Sequence, residues 1–285
     1  MKEIGTPHAD FADRAAAALA ADPRFLGLLA GGSYIGNQID KYSDLDLVLV
    51  VRDADYGAVM TQRREFAAAL GRLQYAFIGE HVGEPRLLIC LYAEPLLHVD
   101  LKFVILKDLD RLIETPVVLW ERDGRVAERI AGGAPRWPNA APEWFEERFW
   151  VWIHYLATKF GRGELFETIG GLSDIRSYVL GPMIARRRGA EQRGVRRIET
   201  VAPELAPRLS PTLGANSRAE CARAIRETIE LYRELRADSP PRNRNVDGET
   251  VVVEFVEATI ARALAAPLSR PQKKKAKRKK TSRKR

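Results

Sequence analysis

Two cysteines in 285 residues, Cys90 and Cys221, are too few for a disulfide framework or a cysteine-based zinc site. Their apolar or helix-like surroundings point instead to two reduced, buried thiols. Long hydrophobic runs are missing as well. No stretch approaches the roughly 20 apolar residues that a membrane span needs, and the first residues, MKEIGTPHADF, hold no apolar segment of signal-peptide type. These absences point to a cytoplasmic protein. Internal repeats are absent too.

Net positive charge is missing outside one segment. The formal net charge is +8, yet residues 273–285, KKKAKRKKTSRKR, hold ten Lys or Arg and no Asp or Glu. Without them the remaining chain stands at about −2. The basicity therefore belongs to a tail, and the body lacks the overall positive charge of a nucleic-acid-binding fold. The tail, taken as 267–285, cannot build a core and is expected to be disordered. It has no aromatics, which suits a generic polyanion contact through phosphate charge better than sequence-specific recognition.

What is present is an ordinary globular balance, with 46% hydrophobic and 29% charged residues, long enough to bury a real core in one large domain or two smaller ones. Residues 10–21 are rich in Ala and read as a helix. Residues 25–29 form a short apolar run that enters Gly31-Gly32-Ser33. Residues 44–51, DLDLVLVV, are the most strand-like of all. Residues 53–73 have helical composition and spacing, while 86–92 and 97–106 read as two strands joined by a turn at 93–95. A Gly/Pro-rich stretch at 132–142 looks like an interdomain connection. Beyond it the strand signal fades, and 143–160, 173–188, 219–237 and 249–265 read as helices. The resulting expectation is an α+β chain: a mixed-sheet domain at 1–131, a helical domain at 143–266 and a basic tail.

Three carboxylates carry the chemistry. Residues two apart on a strand share a face, so Asp44 and Asp46 project together while Leu45, Leu47 and Leu49 fill the other side. The strand at 97–106 alternates in the same way and presents Asp100 among His98 and Lys102. If the strands are neighbours, the three acids form a self-repelling cluster that calls for cations. Mg²⁺ is the natural partner, a hard ion for carboxylate and phosphate oxygens. Two such ions can bridge a triphosphate, activate an acceptor hydroxyl and stabilise leaving pyrophosphate. Upstream, Gly31-Gly32-Ser33 offers backbone N–H groups and a hydroxyl for phosphate oxygens. Ten residues separate Ser33 from Asp44.

The segment GGSYIGNQIDKYSDLDLVLV resembles the signature of polymerase β-like nucleotidyltransferases, and Asp100 in LLHVDLKFV matches their third carboxylate. Within that superfamily the chain looks most like bacterial aminoglycoside and lincosamide nucleotidyltransferases, in size and in domain order. The helical stretch FWVWIHYLATKFGRGELFETIGGLSDIRSYVL shares their flavour. The resemblance implies transfer of a nucleoside monophosphate, AMP from ATP, to a hydroxyl acceptor. It places Gly32 and Ser33 on the β/γ-phosphates, the three aspartates on metal, and Lys159 on the phosphates from the second domain. A general-base Glu has no residue-by-residue match. Glu80 and Glu164 are the nearby candidates, and Asp100 can serve as base itself. A macromolecular acceptor, which the basic tail favours, and a non-catalytic nucleotide-binding module are the alternatives. Among the remaining polar residues, His98 is read as a structural histidine. His154 is read as core packing among Trp150, Trp152 and Tyr155, and Arg162 and Glu164 as a pair or a helix cap.

Overall fold

The computed structural model describes residues 6–266. The basic tail, and with it the expectation of disorder there, lies outside the described residues. The chain divides into two units between Trp137 and Pro138, inside the Gly/Pro-rich stretch.

The first unit is built on a six-stranded mixed sheet. Helix α1 (Thr6–Ala21) leads into β1 (Phe25–Ala30), a 3-10 segment Gly32–Asn37 and β2 (Leu45–Val51). Helix α2 (Tyr56–Ala69) then precedes β3 (Leu73–Gly79), β4 (Glu84–Tyr92) and β5 (Leu97–Ile105), and β6 (Val117–Glu121) and α3 (Arg125–Ala131) close the unit. The strand order is β3-β4-β5-β2-β1-β6. Only β2 and β5 pair in parallel; the other pairs are antiparallel. β1 and β2 are joined by the connection 31–44 and run antiparallel, whereas a helix and two strands intervene before β5 returns beside β2.

Alternation along β2 decides which face is core. Leu45, Leu47 and Leu49 are buried, and they join Phe11, Leu19, Val59, Val99, Leu101 and Phe103 under α1 and α2. Each such side chain contributes about 1.5–3 kcal/mol by leaving water. A smaller cluster of Leu29, Val50, Val104 and Val126 covers the later turns of the same strands from the side of α3. Asp46 and Asp100 therefore sit on the face opposite the main core, near the start of β2.

The second unit is helical: α4 (Pro142–Gly161), α5 (Leu165–Ile175), α6 (Gly181–Arg187), α7 (Ile198–Val201), α8 (Arg218–Asp238) and α9 (Val246–Ala265). Its core is drawn chiefly from α4 and α8, with α9 packed beside them and Phe149 stacked on Tyr232 at 3.6 Å. The helix expected at 173–188 is interrupted by a π-helical turn at Arg176–Leu180. Pro182 has no N–H to continue the α ladder, which accounts for the break. Cys90 and Cys221 are both buried and free, as the sequence suggests. Among the described residues, no helix is long and apolar enough to cross a membrane.

Candidate active site

The turn after β1 is held by its own backbone. Gly31 N–H donates to the Asp46 carbonyl at 3.0 Å, and Tyr34 N–H returns to Gly31 O at 3.1 Å. Gly32 lies at φ +57°, a left-handed conformation that glycine adopts without steric cost. A Cβ at that position would run into Asp46 Oδ2, so the turn passes against this carboxylate only because residue 32 has no side chain. The loop before β2 is fixed as well. Tyr42 N–H donates to Asp40 Oδ1 at 2.8 Å, and His8 Nε2 on α1 donates to the Ser43 carbonyl at 2.9 Å.

Asp46 and Asp100 are direct partners in the parallel β2–β5 register. Asp44 stands one residue before β2 and is near enough to push the Asp100 carboxyl upward. The first cause of that rise is burial, with Asp44 adding to it and His98 opposing it. His98 Nε2 donates to Asp100 Oδ1 at 3.0 Å, which gives His98 the structural partner expected of it. Three carboxylates repel one another, and among the described residues no group of three or more His, Cys, Asp or Glu side chains is arranged to hold a metal ion. Asp46 and Asp100 are half-buried side by side in the register, and carboxylate oxygens are the donors that hard divalent cations prefer.

The Gly turn carries two further features. Gly32 N–H donates to Glu114 Oε1 at 2.9 Å, so a carboxylate already occupies a backbone donor at the mouth of the turn. Among the described residues, Ser33 Oγ is buried with no hydrogen-bond partner. A buried hydroxyl in that position suits an incoming oxygen ligand. Glu114 is the residue that sequence reasoning missed. It sits before β6, in a loop with no motif, and reaches Gly32 because β6 pairs with β1 at Ala30↔Val117.

The other candidates belong to other elements. Glu80 is in the exposed 3-10 turn Glu80–Val82 between β3 and β4. Lys159 belongs to the helical unit, on α4. Its ammonium pairs with Glu164 at 3.2 Å and lies 5.0 Å from the Tyr155 ring centroid. Hydrogen bonding to Tyr155 and then to Glu164 raises its pKa. Glu164 is thus partnered by Lys159, not by Arg162, while the two residues do stand at helix ends, Arg162 as the C-cap of α4 and Glu164 as the N-cap of α5. His154 is exposed and packs on Phe255 at 4.6 Å, contrary to the core placement expected from its aromatic neighbours in sequence. It stands one turn beyond Trp150 on the side of α4 that meets α9, at the margin of the core rather than inside it.

No protein-family model matches the chain, and no curated protein matches it. Among solved structures, the chain is similar to an aminoglycoside 6-adenyltransferase from Bacillus subtilis: 15% identity, a TM-score of 0.39, 90% of this chain and 97% of that one covered. It is also similar to a nucleotidyltransferase-like protein from Exiguobacterium sibiricum, at 12% identity and a TM-score of 0.37, with 87% of this chain and 76% of that one covered.

Proposed function

We propose that this chain is a metal-dependent nucleotidyltransferase that moves a nucleoside monophosphate, AMP from ATP, onto a hydroxyl of a small aminoglycoside-like acceptor and releases pyrophosphate. The observation that carries the reading is the register pairing of Asp46 with Asp100, beside a positive-φ glycine turn whose N–H binds a carboxylate. That turn offers an anion the same donor it now gives Glu114, and the Ser33 hydroxyl is buried beside it awaiting an acceptor.

In this reading Gly32 N–H and Ser33 Oγ donate to β- and γ-phosphate oxygens. Asp44, Asp46 and Asp100 would hold Mg²⁺, which when bound supplies charge neutralisation for the triphosphate and for leaving pyrophosphate. Asp100, whose carboxyl is raised by burial, would take the acceptor hydroxyl's proton. The hydroxyl oxygen then bonds to the α-phosphorus as the bond to the bridging oxygen breaks. The basic run at 273–285 supports a second reading, the same chemistry on a macromolecular acceptor such as RNA or protein, with the tail as a polyanion contact.

Calorimetric titration with a non-hydrolysable ATP analogue tests the site without knowledge of the acceptor. The wild type is expected to bind in the presence of Mg²⁺, and Asp46→Asn at least tenfold more weakly with its melting temperature level or higher. Equal affinity in the two proteins would sink the assignment.

A further inference from the structure

The helical unit contains a cleft of about 570 Å³ between α4 and α5. Its walls are aromatic. Trp152 and Tyr155 come from α4, Phe166 from α5, and Tyr178 from the π-helical turn that follows. Tyr155, Phe166 and Tyr178 are 56%, 81% and 60% exposed, an unusual concentration of ring surface in water for one short stretch of chain. Single π turns often mark functional positions because they displace one side chain from the α-helical pattern. Here the turn carries Tyr178, whose ring meets Trp152 edge-on at 6.5 Å.

The floor of the cleft is bare. A Cβ at Gly170 would meet nothing within 4 Å, so this position holds space open. At Gly171 a Cβ would come within 2.7 Å of Leu156 Cδ1, so this glycine lets the two helices approach. Flanking the floor are two acids on the same face of α5, Glu167 and Asp174. Both are exposed, and neither has an ion-pair partner among the described residues. No Lys, Arg or His lines the cleft. Lys159 lies over the Tyr155 ring, but it is paired with Glu164 and is not part of the lining.

We propose that this cleft binds an organic dication, a diamine or polyamine whose positive centres lie about 10 Å apart. Glu167 and Asp174 are seven residues apart on one helix, which separates them by roughly 10 Å along its axis. Each has an aromatic companion: Phe166 precedes Glu167, and Tyr178 follows Asp174 by one turn. A cationic nitrogen at either end meets a carboxylate and a ring face, the combination that holds alkylammonium groups. The carbon chain between the nitrogens crosses the glycine floor. The site is complete within the helical unit and stands independently of the proposed transferase chemistry on the sheet.

The test uses the full chain and spermidine, with no nucleotide present. Calorimetry is expected to show saturable binding of one spermidine, weakened by salt and accompanied by a change in tryptophan fluorescence from Trp152. Gly170→Leu puts a side chain into the floor at a position where a Cβ meets nothing within 4 Å, and it favours the helix. It is expected to melt no lower than wild type and to bind at least tenfold more weakly. The double variant Glu167→Gln, Asp174→Asn is expected to lose at least as much, and n-butylamine to bind at least tenfold more weakly than spermidine. Absence of saturable binding to the wild type overturns the proposal, as does undiminished binding by a folded Gly170→Leu protein. Binding of 1,8-octanediol as tightly as spermidine would show an apolar pocket in place of a cation site.

Discussion

At the scale of single residues, the site is organised by what glycine omits. Gly32 lets the chain pass against the Asp46 carboxylate, and its N–H holds Glu114. In the proposed chemistry Glu114 competes with the triphosphate for that donor. A charge-assisted hydrogen bond is about twice as strong as a neutral one. Glu114→Gln should therefore release the donor more readily and lower KM for the triphosphate roughly fivefold, equivalent to about 1 kcal/mol. Steady-state kinetics at varied ATP would check this; an unchanged or raised KM would show that Glu114 supports binding. The aspartates and the Gly-Gly-Ser turn were legible in the sequence because strand alternation dictates which side chains share a face. Glu114 was not, because its position depends on a pairing between β1 and β6 that no local pattern announces.

At the scale of elements, the legible strands are the ones with a buried face. β2 and β5 alternate cleanly and were read within a residue or two of their observed bounds. β3 and β6 carry no such pattern in the sequence. They are the two edges of the sheet and largely exposed or half-buried, so hydrophobic period carries little signal there. The β4–β5 hairpin carries a charge network in which Glu84 accepts from Arg86 at 2.7 Å and pairs with Lys102 at 2.8 Å. Arg86 also pairs with Asp108 at 3.1 Å. Hydrogen bonding from Arg86 is the main reason the Glu84 carboxyl is depressed from 4.5 to about 2, with Lys102 assisting against the cost of burial. A depressed acid stabilises the fold fully above its unfolded value and progressively less as pH falls toward its folded value. Glu84 should thus contribute about 1–2 kcal/mol near neutral pH, after allowance for solvent screening, and lose it between about pH 4.5 and 2. Glu84→Gln should melt lower than wild type near pH 7, with the difference shrinking in that acid window. A difference that stays constant down to about pH 2 would show that the charge is not what Glu84 contributes.

At the scale of the whole molecule, two compact units each carry their own core. The helical unit contains buried charge, which a sequence pattern of apolar periods does not reveal. Glu146 accepts from Tyr232 Oη at 2.6 Å, from Trp150 Nε1 at 3.2 Å and from Arg236 at 3.2 Å. Arg236 also donates to Glu249 at 2.8 Å. Removing one member leaves buried partners unpaired, so Glu146→Ala should destabilise this unit by about 3–5 kcal/mol. Denaturant unfolding followed by tryptophan fluorescence would read this directly, since Trp150 is part of the network. A loss below about 1 kcal/mol would mean that water or neighbouring groups compensate.

The central claim is nucleotidyl transfer at Asp44, Asp46 and Asp100. Its most direct test is pyrophosphate release from ATP with Mg²⁺ across a panel of aminoglycosides, lincosamides and total RNA, comparing wild type with Asp46→Asn. Asn keeps the shape of the side chain and removes its charge, and loss of a group that holds metal costs several kcal/mol of transition-state stabilisation. The account predicts acceptor-dependent pyrophosphate from the wild type, with less than a tenth of that turnover from a folded Asp46→Asn protein. Equal release by the two proteins, or none from the wild type above the variant's background with any acceptor, would contradict it.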